Sequence, residues 1–224
     1  MNEEFAATFD CRAILFDLDG TLIDSIAAVD RAWTRWAIRH GLDPQDVVPH
    51  IHGRRAVDSL RLLAPRPDLD LSVEEDWLVG IEAGDTEGVT AIPGALEFVQ
   101  SIGPDRWCLV TSGTSPVAIA RMNAVGIRPR QAVFGEDVPN GKPAPDPYLL
   151  AASRMGYRPN ECLVFEDTVA GIRSGQAAGM RVIAIGSRES NPDLGVADAT
   201  VEDYRTLVVQ SLGDGLRVCF VSEK

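Results

Sequence analysis

The sequence predicts an α/β fold: a Rossmann-like, largely parallel sheet core with an inserted all-helical domain. Three observations carry that prediction. Short, apolar, β-rich runs recur at 13–16, 107–110, 132–134, 162–165, 181–185 and 216–221. Helical patterns separate most of them, and such alternation implies parallel strands joined by crossover helices. Between the first and second runs, residues 24–91 break the rhythm with several helical segments and no convincing strand. The expected organisation is therefore a catalytic-type core from 1–23 and 92–224, with a helical domain at 24–91.

Taken in order, the run 13–16 ends in Asp17-Leu18-Asp19-Gly20-Thr21, a sharp Gly-containing turn after a buried strand. In the insertion, Ile26, Val29, Trp33, Trp36 and Ala37 form an apolar stripe at helical spacing that stops at Gly41, and 60–64 and 77–81 continue the helical pattern. The tryptophans read as helix-packing core. Pro93 followed by Leu96, Val99 and Ile102, with Gly103 behind, marks a helix with Pro in its first turn and Gly at its end. Ser115 to Val125 with Gly126 repeats this, and Asp146 to Met155 with Gly156 does so more loosely.

A chain of 224 residues accommodates one α/β domain plus an insertion, since single cores run to roughly 100–200 residues. The net charge of −12 argues against nucleic acid or an anionic membrane as partner, because both would be repelled. An anionic substrate would then have to be captured by local groups. Cys11, Cys108, Cys162 and Cys219 lack metal-type spacing and read as reduced core residues. Met1 to Asp10 carries acids and lacks both a basic start and a long apolar stretch. It reads as neither signal peptide nor membrane anchor, and the expected compartment is the cytoplasm.

Open α/β sheets gather ligands at strand C-termini. In extended chain, residues two apart point the same way, so Asp17 and Asp19 can face one crevice. One carboxylate can attack phosphorus while the other manages the proton of the leaving oxygen. The same residues are also ordinary turn formers. Val110-Thr111-Ser112-Gly113 offers a hydroxyl and backbone N–H groups to phosphate oxygens, or simply turns a strand into a helix. Lys142 sits in a Gly-Lys-Pro loop stiff enough to hold one cation still. Glu166-Asp167 places an acidic pair at another strand tip, where helix capping is the competing role. Converging carboxylates need a counter-ion, and a hard oxygen site of this kind suits Mg²⁺.

Together, in this order and with a helical insertion after the first, these four motifs resemble the haloacid dehalogenase superfamily, in its branch of phosphatases with a helical cap. The resemblance implies Asp17 as nucleophile forming an aspartyl-phosphate, and Asp19 as acid and then base. It implies Thr111 and Lys142 as holders of the phosphoryl oxygens. Mg²⁺ would be bound by Asp17, the Asp19 backbone carbonyl and Asp167, with Glu166 close by or acting through water. Gly20, Thr21, Ser112 and Gly113 would line the substrate. An acid at Asp19 disfavours carbon–halogen or carbon–phosphorus cleavage. Thr21, Val29 and Ala56 depart from the residues that sugar phosphomutases of the superfamily carry, so hydrolysis is favoured over transfer.

Ile51-His52-Gly53-Arg54-Arg55 and 81–95 resemble the sugar and polyol phosphate phosphatases within that superfamily. By this likeness His52, Arg54, Arg55 and Glu87 would contact a small phosphorylated sugar or polyol, although Arg54 and Arg55 also suit pairing with Asp58 or helix capping. His40 and His50 receive no role. The expected activity is Mg²⁺-dependent hydrolysis of such esters. The alternatives are a sugar phosphomutase and a non-catalytic sugar-phosphate-binding regulator. A monomer is expected, with an oligomer left open.

Overall fold

The computed structural model describes residues 5–186 and 191–221. The first four residues of the acidic N-terminal segment lie outside them. The chain opens with β1 (Phe5–Cys11) and β2 (Ala13–Phe16), then β3 (Ile23–Asp24), α1 (Ile26–Arg39), α2 (Pro44–Val47), α3 (Ala56–Leu63), α4 (Leu71–Gly84) and β4 (Thr90–Ala91). There follow α5 (Ala95–Ser101), β5 (Trp107–Val110), α6 (Ser115–Val125), β6 (Ala132–Val133), α7 (Asp146–Met155), β7 (Cys162–Glu166), α8 (Val169–Ala177) and β8 (Arg181–Ile185). The chain closes with β9 (Ala199–Val201), β10 (Leu207–Leu212) and β11 (Gly215–Val221).

Six strands form a parallel sheet in the order β6-β5-β2-β7-β8-β9. The expected parallel core is borne out, and β2 lies at its centre between β5 and β7. Strand order reverses around β2, which opens a crevice at the carboxyl ends of β2, β5 and β7. Every residue of β2, β5 and β7 is buried, as expected for strands covered on both faces. On one face Phe16 packs against Phe98, Trp107, Phe165 and Tyr204. On the other, Leu15, Val110, Val164 and Tyr148 form a second cluster with the cysteines Cys108 and Cys162. All four cysteines are buried free thiols, as read from sequence.

Two expectations need correction. The run at 216–221 is not a strand of the parallel sheet. It belongs to β11, which pairs antiparallel with β1 and β10 in a separate three-stranded sheet. Only Gly213 and Asp214 separate β10 from β11, and so short a link can join only antiparallel neighbours. The stretch 24–91 is also not free of strand. Asp24 pairs with Thr90 and Ile23 with Ala91, so a two-stranded ribbon closes the insertion at its base.

Within the insertion, Trp33, Trp36, Val47, Ile51, Leu60 and Leu78 make a third core, separate from the two flanking the sheet. Trp33 and Trp36 meet edge to face at 5.6 Å between ring centroids. Buried Glu74 accepts from Trp36 Nε1 at 3.0 Å and lies 2.8 Å from His40 Nε2. His40, without a motif in the sequence, is thus part of this helix packing. Among the described residues no helix is long and apolar enough to cross a membrane.

Candidate active site

The ladder of β2 continues one residue past its end, with Asp17 N–H donating to Phe165 O at 3.0 Å. That bond fixes Asp17 at the sheet's C-terminal edge. Lys142 Nζ donates to Asp17 Oδ1 at 2.6 Å, to Glu166 Oε1 at 2.5 Å and to Val110 O at 3.1 Å. One buried ammonium thereby joins the tips of β2, β5 and β7. Tyr148 donates to the same Glu166 oxygen at 2.9 Å, while Glu166 Oε2 accepts from Asp167 N–H and from the N–H and hydroxyl of Thr168. Both oxygens of Glu166 are therefore committed to orienting Lys142 and the turn into α8.

The turn after Asp17 explains its glycine. Gly20 has a φ of 88°, and a Cβ there would lie 2.0 Å from Asp167 Oδ2. Close approach of the two loops thus requires glycine. Thr21 is fully buried and donates to Asp167 Oδ1 at 3.0 Å. It orients that carboxylate and is not among the residues lining the cavity above it.

Burial raises the Asp17 carboxyl to about 7; Lys142 pulls the other way, and the Glu166 and Asp19 carboxylates add to the rise. Burial, with Glu166 and Asp17, also pushes Asp167 well above the usual carboxylate range. For Lys142, burial works against the charge, but the carboxylates on Nζ outweigh it and hold the amine above its ordinary value. Three carboxylates face one ammonium, and Asp17, Glu166 and Asp167 can each bring an oxygen within 4.8 Å of the others. Asp17 Oδ2 and Asp167 Oδ2 accept no hydrogen bond from the described residues. A hard divalent cation fits this surplus of negative charge and oxygen donors.

A cavity of about 340 Å³ lies between the insertion and the sheet edge, in the size range of small-molecule sites. Asp17, Asp19 and Asp167 line its floor, with Thr111, Ser112 and Gly113 beside them. Thr111 Oγ1 accepts from Gly113 N–H at 3.0 Å, which curls this loop around the hydroxyl. From the insertion come His52, Arg54 and the apolar wall of Ile26, Val29 and Trp33. Trp33 therefore serves both helix packing and the cavity, whereas Trp36 is core alone.

Not every expected contact is brought here. Arg55 turns away, donating to Asp58 at 2.7 Å and to Val138 O at 2.9 Å, which fastens the insertion to the core. Glu87 is exposed outside the cavity, and its backbone carbonyl accepts from Arg31. Gly20, Thr21, Lys142 and Glu166 are not among its lining residues, and Lys142 reaches it through its contact with Asp17.

Five residues absent from the expected set complete the site. Ser25 and Thr114 occupy the N-cap positions of α1 and α6, yet neither hydroxyl caps its helix. Ser25 Oγ donates instead to Asp19 Oδ1 at 2.6 Å, and Thr114 Oγ1 is buried without a partner among the described residues. Arg121, on α6, donates to the same Asp19 oxygen at 2.9 Å, and Glu82 on α4 lies 3.5 Å from its other terminal nitrogen. Burial raises the Glu82 carboxyl, and Arg121 opposes that rise. Tyr148 is the fifth. Arg121 had a signal in the sequence: it shares a helical face with Val117, Ala118 and Met122, where an arginine would be buried.

A family model for haloacid dehalogenase-like hydrolases matches residues 11–179. This chain belongs to that family. Hexitol phosphatase A of Escherichia coli (strain K12) is 44% identical over 209 residues, spanning 92% of this chain and 97% of that protein. The 2-deoxyglucose-6-phosphate phosphatase 1 of Saccharomyces cerevisiae is 32% identical over 207 residues, or 81% of this chain and 82% of its own length. Among solved structures, a hydrolase from Pseudomonas syringae superposes with a TM-score of 0.75 at 25% identity, covering 85% of this chain and 93% of that one. In this haloacid dehalogenase-like hydrolase the buried charges Asp17, Lys142 and Glu166 meet at the carboxyl edge of the parallel sheet.

Proposed function

We propose that this haloacid dehalogenase-like hydrolase is a Mg²⁺-dependent phosphatase of small phosphorylated sugars or sugar alcohols. The observation that carries the reading is Lys142 Nζ, 2.6 Å from Asp17 and 2.5 Å from Glu166, with Asp17, Asp19 and Thr111 lining one cavity. The 44% identity to a hexitol phosphatase supports the substrate class. We assign the helical residues 24–91 as a cap over a core made of 1–23 and 92–224.

Asp17 Oδ2 attacks phosphorus, the ester P–O bond breaks, and Asp19 gives its proton to the departing alkoxide. Asp19 then takes a proton from water as that water attacks phosphorus. The acyl-phosphate P–O bond breaks and the Asp17 carboxylate is regained. Lys142, the Thr111 hydroxyl and the 112–113 backbone face the charge that spreads over the phosphoryl oxygens. Ser25 and Arg121 hold Asp19 Oδ1 so that its other oxygen meets the leaving group. Mg²⁺, held by Asp17, Asp167 and the Asp19 backbone, would supply the positive charge that three carboxylates lack and keep Asp17 ionised.

Phosphate release from a panel of hexose, hexitol and glycerol phosphates, with Mg²⁺ and with chelator, tests this directly. Turnover that requires the cation and favours sugar or polyol esters is expected. No release from any ester with cation supplied would remove the proposal.

A further inference from the structure

The wall of the cavity beside Asp19 holds a charged pair, Arg121 and Glu82, of which the phosphoryl chemistry uses only the Arg121 nitrogen on Asp19. The Arg121 side chain is only 4% exposed, and one terminal nitrogen is taken by Asp19. Its Nε and second terminal nitrogen are buried without a hydrogen-bond partner among the described residues, although both arginine and Glu82 line the cavity. Buried N–H groups left without a partner carry the full cost of their desolvation, and more when charged. Such groups at a cavity wall are satisfied by what enters it. At 3.5 Å the Glu82 carboxylate is too far to do so well, yet close enough to face the same ligand atom.

We infer that Glu82 and Arg121 form a hydroxyl-reading subsite, selecting leaving groups that carry a neutral hydroxyl next to the ester-bearing carbon. A hydroxyl suits both sides at once: its oxygen accepts from Arg121 and its hydrogen goes to Glu82. The position follows from Asp19. The guanidinium that donates to Asp19 Oδ1 at 2.9 Å presents its free edge beside the oxygen that leaves. A group one carbon away from that oxygen meets it first. Charge fixes the rest of the selectivity, because the Glu82 carboxylate faces the same ligand atom as Arg121 and cancels its attraction for an anion. A leaving group with its own carboxylate or second phosphate is repelled here. Glu82 comes from the helical cap and Arg121 from the core, so the subsite is complete only when the two are docked as they are in this structure.

The inference rests on the phosphatase reading, and one experiment separates the two. Phosphate release is measured for sorbitol 6-phosphate and its 5-deoxy analogue, with p-nitrophenyl phosphate as an ester lacking any aliphatic hydroxyl. The wild-type preference in kcat/KM for the hydroxyl substrate over the deoxy analogue is expected to be roughly 10- to 100-fold, the size of a hydrogen bond to a charged group. In Glu82→Ala that ratio falls to near one. Glu82→Gln, almost isosteric, guards against a folding defect: it narrows the wild-type preference for 2-hydroxyethyl phosphate over phosphoglycolate, because the repelling charge is gone. An unchanged ratio in Glu82→Ala, or an unchanged preference in Glu82→Gln, overturns the subsite while leaving the phosphatase standing. No release by wild type from any of these esters overturns both.

Discussion

Lys142 is buried, and the two carboxylates and the carbonyl on Nζ are its hydrogen-bond partners among the described residues. Removing it strands Asp17 and Glu166 face to face. Lys142→Met is therefore expected to cost about 3–5 kcal/mol, the range for breaking a buried pair, together with nearly all turnover. Denaturant unfolding measures the first and phosphate release the second; a variant of wild-type stability would show that the carboxylates do not depend on this amine. The two aspartates should separate by leaving group. Asp17→Asn abolishes turnover of every ester, since no other carboxylate can take its place at phosphorus. Asp19→Asn slows a sugar phosphate by roughly 10²–10⁴-fold, the usual worth of a general acid or base, and an aryl phosphate by less. Equal losses on both esters would mean that Asp19 only positions. At this scale the sequence named Asp17, Asp19, Thr111, Lys142 and Asp167 because each stands in a short motif at a strand tip. Glu82 and Thr114 stand in no such motif, and Arg121 carries only the weaker signal of its apolar helical face; the packing of α4 against α6 brings Glu82 and Arg121 together.

Helix α1 presents Trp36 fully buried, with its indole N–H on Glu74 of α4 and its ring 4.9 Å from that of His40. Burial alone would raise the Glu74 carboxyl, but His40, Trp36 and Arg39 hold it below the ordinary carboxylate value. Trp36→Ala removes both the packing and the hydrogen bond, and a loss of about 3–5 kcal/mol is expected in urea unfolding. Trp36→Phe keeps most of the packing and should lose less. If the two substitutions cost the same, the indole N–H and not the ring volume carries the effect. Elements were legible where local rules end them. Gly126 and Gly156 close α6 and α7 in left-handed conformation, with φ of 82° and 74°, so the sequence bounds at 125 and 155 coincide with the observed ones. The ribbon of β3 and β4 was not legible, because two-residue strands have no periodicity and exist only through pairing across 65 residues of intervening chain.

The whole molecule carries a charge of −12, and its candidate site concentrates carboxylates at a largely buried sheet edge. Asp17 titrates at about 7 in the fold against 3.8 in the unfolded chain. Between those values the folded state retains a proton that the unfolded chain has released, so stability falls as pH rises through that window. Asp85 and Glu161, held at about 2 by hydrogen bonds from Arg31 and Arg158, act only at lower pH and do not offset this. The cation-free protein is thus expected to melt at lower temperature at pH 7.5 than at pH 5.5. Added Mg²⁺ should raise the melting temperature more at the higher pH. With cation at a hundred times its Kd the gain is ~2.7 kcal/mol, roughly 5–11 °C for a protein of this size. A Mg²⁺ effect independent of pH would mean that the ion does not bind the ionised acids. The cysteines are tied to global stability too. Burial pushes the Cys11, Cys108 and Cys162 thiols up to about 12, so a thiol reagent should modify them only as fast as the protein unfolds.

By itself the sequence determined the parallel α/β core, the helical insertion after the first core strand and the residues at the sheet's C-terminal edge. Strand runs, helix caps and strand-tip turns are local patterns, written within a few neighbouring residues. Tertiary structure alone decided that residues 216–221 leave the parallel sheet, that Thr21 and Glu166 serve other side chains and not the cavity, and that Arg55 fastens the helical insertion to Val138. It also decided that Arg121 and Glu82 share one cavity wall. Each of these depends on which distant element lies opposite. Such partners are chosen by the burial of large apolar faces, and no run of neighbouring residues records the choice.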